Sequence, residues 1–157
     1  MNSTQTSVFV VDDHAFFRNG VVDWLGSQND LKCCGEAANL EGAVRGIREH
    51  QPDVVLLDIG LGEADGLDLL KDLGMELTSK VIIFSEFEAQ AHAQRAFLAG
   101  AHGFITKSEP AETVRKAIET VIDGRVFLSW SRDSSAMGPE PGVAPTANSP
   151  QSSQCAM

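Results

Sequence analysis

Residues 53–70, DVVLLDIGLGEADGLDLL, hold two rival chemistries. One is a cradle of Gly60, Gly62 and Gly66 for the phosphates of a nucleotide; the other is a reactive carboxylate, Asp58, to which the glycines give room. The cradle fails on spacing: Gly60-x-Gly62-x-x-x-Gly66 is not G-x-G-x-x-G, it lies in the third strand–helix unit, and Asp58 at its mouth repels a pyrophosphate. Neither a G-x-x-x-x-G-K-[ST] loop nor a G-x-S-x-G elbow occurs, so nucleotide-triphosphatase and α/β-hydrolase chemistry lack their residues.

Asp58 has company. Short apolar runs end in Asp12-Asp13, in Asp58 and in Ser85, and a last one is followed at once by Lys107. Three carboxylates, a hydroxyl and an ammonium thus recur at run ends. Carboxylates a few ångströms apart repel, which raises a pKa or demands a cation. A hard divalent ion such as Mg2+ fits, because it takes oxygen ligands and keeps several waters. With the ion offsetting the charge of an incoming phosphoryl group, Asp58 can act as nucleophile and form an aspartyl phosphate. Lys107 then supplies a point charge and Ser85 a hydroxyl donor to the phosphoryl oxygens.

These residues meet only if the runs are strands of one parallel sheet, whose carboxyl ends line a single edge where ligands bind. From Ser7 to about Ile122 the runs alternate with amphipathic stretches, the pattern of an α/β domain. Runs 8–11, 32–38, 54–57, 81–84 and 103–106 predict five strands. Phe17, Val21, Trp24 and Leu25 form one helical stripe, and Val114, Ile118, Val121 and Ile122 another. Ser108 is placed to cap the last helix, Pro110 lies in its first turn, and Asp123-Gly124 is its stop. Right-handed crossovers then predict a doubly wound five-stranded parallel sheet with helices on both faces.

Beyond Leu128 the composition turns to Ser, Pro, Gly and Ala, too poor in large apolar residues to offset its ordering entropy. Residues 1–128 are therefore expected to form one domain and 129–157 a disordered tail. The balance of 12 basic against 22 acidic residues, a net charge of −10, disfavours nucleic acid and anionic membranes as partners. The N-terminal residues have no signal-peptide pattern, and no apolar run approaches the roughly 18 residues of a membrane span. Cys33 and Cys34 are adjacent and Cys155 stands apart, without metal-ligand spacing. This usage suggests reduced thiols in a cytoplasm, with the adjacent pair acting as small hydrophobes in a strand. His14 is expected to be an ordinary helix-start residue, since an oxygen-rich site favours Mg2+ over an imidazole-binding metal; His50, His92 and His102 show no ligand spacing.

VFVVDDHAFFRNGVVDWL, PDVVLLDIGLGEADGLDLL, VIIFSEF and AGAHGFITK together resemble the receiver domain of two-component response regulators, over about residues 7–128. The opening VDDH…R.G and the closing AGA.GF..K are similar to the NarL/FixJ branch, whose members usually add a C-terminal helix-turn-helix; here the Ser/Pro tail follows instead. The resemblance implies a flavodoxin-like strand order, 2-1-3-4-5. It implies that Asp58 is the phosphoacceptor, Asp13 a direct Mg2+ ligand, Asp12 a ligand through water, and Gly60 the donor of a metal-binding carbonyl. It assigns Ser85 as the switch hydroxyl, Lys107 as the phosphate-binding lysine, and Phe104 as a switch aromatic that turns from a partly exposed to a buried rotamer. The implied protein is not a turnover enzyme. It receives its phosphoryl group from a sensor histidine kinase or phosphotransfer protein, loses it slowly, and signals to a downstream protein, or to a second copy of itself, through the face of helix four, strand five and helix five.

Two positions depart from the family pattern. Gly62 stands where a proline is usual, so the loop after Asp58 loses a fixed φ and is expected to be more mobile. Glu86 replaces a small residue after the switch hydroxyl and brings another negative charge to the site. Two rivals remain: an aspartate-nucleophile, Mg2+-dependent phosphatase of the haloacid-dehalogenase type, and a constitutive pseudo-receiver that only binds partners.

Overall fold

The computed structural model describes residues 5–86 and 90–129. The expected tail lies outside them except for Ser129, as does Cys155. Strands β1 (Thr6–Val11), β2 (Leu31–Ala37) and β3 (Val54–Asp58) alternate with helices α1 (Ala15–Gly26) and α2 (Leu40–His50). After Asp58 come two short strands, β4 (Gly60–Leu61) and β5 (Ala64–Asp65), and helix α3 (Asp68–Leu73). Then follow β6 (Lys80–Ser85), α4 (Gln90–Leu98), β7 (Gly103–Thr106), α5 (Ala111–Ile122) and β8 (Phe127–Ser129). The main sheet is parallel, in the order β2-β1-β3-β6-β7-β8. That is the expected doubly wound 2-1-3-4-5 arrangement, extended at one edge by a sixth strand.

The apolar runs are strands because both faces of a central parallel strand are covered, which leaves no solvent face to mark with polar residues. All five residues of β3, Val-Val-Leu-Leu-Asp, are buried. The pleat sorts side chains onto two cores. Val55, Leu57, Val81, Ile83 and Phe104 pack beneath α2, α3 and α4. Val54, Leu56, Ile82, Phe84 and Ile105 pack beneath α1 and α5 with Leu25, Val114, Ile118 and Val121. The second helical stripe is core, as its spacing predicts, although Ile122 at its end is 46% exposed; of the first, only Leu25 is fully buried, while Phe17, Val21 and Trp24 are half-buried against the same core.

Three local expectations change. The helix before β8 has Pro110 rather than Ser108 at its N-cap position and no side-chain cap, and the Ser108 hydroxyl pairs instead with Thr106 Oγ1 at 3.0 Å. Phe127–Ser129, where no strand was expected and whose last residue falls in the expected tail, is a strand: Phe127 is 1% exposed and the segment pairs with β7 through Gly103, Phe104 and Ile105. The stop at Asp123-Gly124 makes that return possible. Gly124 takes φ +89°, and the N–H groups of Gly124 and Arg125 donate to Val121 and Thr120, which turns the chain back along the sheet. Third, the segment after Asp58 is a hairpin rather than an open loop. Cys33 and Cys34 lie in β2, half-buried and free, and burial raises both thiols above their ordinary value.

Candidate functional site

Strand register brings the run ends together. Val11 pairs with Leu57, so Asp12 is level with Asp58; Asp58 pairs with Phe84, one residue before Ser85; and Ser85 pairs with Thr106, one before Lys107. Each step across the sheet advances one residue or none. Main-chain bonds fasten the ends: Asp12 N–H donates to Ala37 O, Ile59 N–H to Phe84 O, and Lys107 N–H to Ser85 O. Arg18, one turn into α1, donates to the Asp12 carbonyl at 2.7 Å and to Glu36 at 2.8 Å, which holds the turn from β1 into α1.

Asp12 and Asp58 are buried, at 2% and 3% exposure, and Asp13 stands at the rim. The Lys107 ammonium lies 2.7 Å from Asp12 Oδ2, in a geometry that is not that of a hydrogen bond, and donates to Asp58 Oδ2 at 3.2 Å. Its charge also sits 4.5 Å above the centre of the Phe17 ring, an apolar floor with a negative face toward the cation. Asp58 Oδ1 accepts from the Gly60 N–H. Burial pushes the Asp58 carboxyl up to about 6, opposed by Lys107 and reinforced by the charge of Asp12. For Asp12, burial works in the same upward direction, but the Lys107 and His14 contacts outweigh it and hold that carboxyl below its ordinary value. Of the two buried acids, Asp12 thus carries the negative charge more easily.

The hairpin explains Gly62. Its φ is +64° and Glu63 is not among the residues with positive φ, the sign pattern of a two-residue type II′ turn between β4 and β5. Its N–H donates to Asp13 Oδ2 at 2.7 Å. A proline supplies neither the φ nor the donor, so the glycine ties the turn to the site where a looser loop was expected. Gly66 matters for space. A Cβ there would lie 2.1 Å from the Asp58 carbonyl oxygen, and its N–H donates to Ile59 O. Gly66→Ala is therefore expected to lower stability by about 1–3 kcal/mol by displacing the Asp58 backbone, as read from the midpoint of urea unfolding. The glycines do give Asp58 room.

The structure thus gathers Asp12, Asp13, Asp58 and Lys107, with Gly60 beside them on β4. Ser85 ends the adjacent strand, fully buried. Phe104 differs from expectation: it is fully buried already, in the core under α4, with Leu128 of β8 as its neighbour across the sheet. His14 was expected as an ordinary helix-start residue. It does occupy the N-cap position of α1, but its ring turns onto the acids, with Nδ1 at 3.1, 3.2 and 3.5 Å from Asp12, Asp13 and Asp58. The Asp12 hydrogen bond raises its pKa above the ordinary value. Among the other histidines, His102 Nδ1 accepts from the Val81 N–H, and the His50 ring packs near Phe9.

A divalent cation fits this set. Asp13 Oδ1 is a buried atom that accepts no hydrogen bond, Asp12 Oδ2 faces the Lys107 ammonium, which an ion would displace, and one ligand atom each from Asp12, Asp13, His14 and Asp58 lie within 4.8 Å of one another.

A family model described as the response regulator receiver domain matches residues 8–119. The DNA-binding transcriptional activator DevR/DosR of Mycobacterium tuberculosis is 33% identical over 122 residues, covering 77% of this chain and 56% of that protein. The nitrate/nitrite response regulator NarL of Escherichia coli is 28% identical over 129 residues, 82% of this chain and 60% of that protein. The chain therefore spans little more than half the length of these relatives. Among solved structures, the signal receiver domain of the putative response regulator NarL from Mycobacterium tuberculosis superposes with a TM-score of 0.74 at 32% identity, over 78% of this chain and all of that one.

Proposed function

The chain belongs to the response regulator receiver family, which accepts phosphoryl groups in two-component signalling, and from that premise we propose that Asp58 is the phosphoacceptor. The observation that carries the assignment is a buried carboxylate facing a lysine ammonium at 3.2 Å beside a second, more acidic carboxylate. At neutral pH a group pushed up to about 6 is mostly ionised, and its poor solvation leaves it a competent nucleophile.

A sensor histidine kinase or phosphotransfer protein presents a phosphohistidine. An Asp58 oxygen attacks phosphorus, the P–N bond breaks, and its electron pair returns to the donor imidazole. Asp13, Asp58 and the Gly60 carbonyl, with Asp12 through water, would hold Mg2+, which would neutralise charge on the phosphoryl oxygens. Lys107 moves from its carboxylate contacts to a phosphoryl oxygen, and the Ser85 hydroxyl donates to another. In this reading the protein is an acceptor of phosphoryl groups rather than a turnover enzyme. The donor docks along the open groove of about 260 Å³ between α1 and α5, lined by Phe16, Phe17, Val21, Trp24 and Val114. Lys107, which contacts Asp58, is among the residues lining that groove, so a donor seated there lies beside the site. The downstream protein, or a second copy, reads the face of α4, β7 and α5.

The test is labelling with a small acyl-phosphate donor. Incorporation is expected to need Mg2+, to survive acid, to be lost in alkali or hydroxylamine, and to map to the peptide holding Asp58. Label on any other residue, or labelling unaffected by chelator, refutes the assignment; steady release of phosphate from a generic ester would instead favour the phosphatase reading.

A further inference from the structure

We propose that His14 is a nitrogen ligand of the cation site, oriented by Glu86, and that it shifts the site's preference from Mg2+ toward first-row transition ions such as Mn2+. The proposal rests on the metal site read above and concerns two residues outside its oxygen set.

Position is the first ground. His14 Nδ1 lies 3.1–3.5 Å from an oxygen of each of Asp12, Asp13 and Asp58. Around an octahedral ion with bonds of about 2.1 Å, adjacent ligand atoms are about 3.0 Å apart. The nitrogen thus stands off the three carboxylates by nearly the edge of such an octahedron; an ion there would replace the proton that Nδ1 now shares with Asp12 Oδ1 and displace the Lys107 ammonium at 3.3 Å, and a small inward turn of the half-exposed ring would then add a nitrogen to the oxygen set.

Orientation is the second. Metal-bound histidines commonly donate the ring N–H remote from the metal to a carboxylate, which fixes the tautomer and raises the basicity of the ligating nitrogen. The opposite nitrogen here, Nε2, faces Glu86 Oε2 at 3.8 Å. At 3.8 Å this is an ion-pair distance and not a hydrogen bond, so the carboxylate must approach the ring to complete such a relay, with Nδ1 directed at the site. Glu86, an added negative charge with no evident use in phosphoryl transfer, gains a role: it follows Ser85 at the end of β6 and reaches the far side of the ring. A nitrogen donor discriminates among cations, since imidazole suits transition ions while Mg2+ favours oxygen and water.

The experiment is Mn2+ and Mg2+ binding to the full chain, by Mn2+ electron paramagnetic resonance with Mg2+ competition, in wild type, His14→Ala, Glu86→Gln and Asp13→Asn. Bound Mn2+ in the wild type should show electron spin-echo modulation from a coordinated nitrogen, absent in His14→Ala. His14→Ala should lose about tenfold in Mn2+ affinity while its Mg2+ affinity stays within about twofold, and Glu86→Gln should lose several-fold for Mn2+ alone. Wild-type Mn2+ without nitrogen modulation, or equal losses for the two ions in His14→Ala, overturns the proposal and leaves the oxygen site standing. Asp13→Asn should lose both ions. If it retains both at wild-type affinity, the metal site itself is wrong and the proposal falls with it.

Discussion

Asp58→Asn is expected to be more stable than the wild type by about 3 kcal/mol at pH 7.5 in the presence of chelator, and to lose that advantage as the pH falls toward 4. In the unfolded chain the Asp58 carboxyl has its ordinary value of 3.8, whereas in the fold burial pushes it up to about 6. Between those values the folded protein holds a proton that the unfolded chain has released. Stability contributed by the protonated carboxyl is present in full below 3.8 and lost as the pH rises through 6. Asparagine keeps the shape of the neutral acid and removes the charge, so the difference between variant and wild type opens across that window. Asp12 contributes with the opposite sign, since its depressed carboxyl adds stability as the pH rises, and the Lys107 contact that lowers it is present in both proteins. Urea unfolding at pH 4.5 and 7.5 measures the gap, and a wild type at least as stable as Asp58→Asn at pH 7.5 refutes this account of the buried charge. The cost is also a source of function, because a cation or a phosphoryl group relieves the same strain and each therefore binds a site already disposed to receive it.

Much of that site was readable because register is readable. Apolar runs ending in Asp12-Asp13, Asp58 and Ser85, and one followed by Lys107, converge once the runs become strands of one parallel sheet, and the pairings of Val11 with Leu57 and of Ser85 with Thr106 bring that about. The strand β8 was not legible for a physical reason. Three residues carry no periodicity, and Phe127 is ordered by α5 and β7, which lie on either side of it only after folding. The β4–β5 hairpin was hidden in the same way: a glycine in place of a proline reads as lost stiffness until its N–H is seen to end on Asp13. His14 stands at the start of α1 as its position predicts, and what the sequence does not carry is the direction of its ring. An oxygen-rich set argued against imidazole, and only three dimensions show Nδ1 turned toward three carboxylates.

Phe127→Ala is expected to cost about 3–5 kcal/mol, the range for emptying a buried phenylalanine site, and Leu128→Ala about 1 kcal/mol, because Leu128 is only half-buried. Phe127 packs with Val114, Ile118 and Val121 of α5, while its neighbour across the sheet is Gly103, which has no side chain to close the gap. Unfolding midpoints in urea rank the two variants; a cost under about 1 kcal/mol for Phe127→Ala means β8 is not part of the folding unit. The consequence for signalling is larger than the energy. Strand β7 is not a free sheet edge, since β8 pairs along it and sets Leu128 beside Phe104. If Ser85 moves toward a phosphoryl group, the space it vacates is filled from a Phe104 that is already buried, so β7 and β8 must shift together. A hydrogen bond to a charged group is worth about 1.5–3 kcal/mol, enough to move a two-state equilibrium roughly ten- to a hundredfold without refolding. With beryllofluoride as phosphoryl mimic, amide shifts of residues 127–129 should therefore change along with those of residues 100–122, and both changes should be lost in Ser85→Ala. Movement of residues 100–122 with 127–129 still would show that β8 is a passive cover. No movement in either segment, or identical movement in Ser85→Ala, removes this route of transmission altogether.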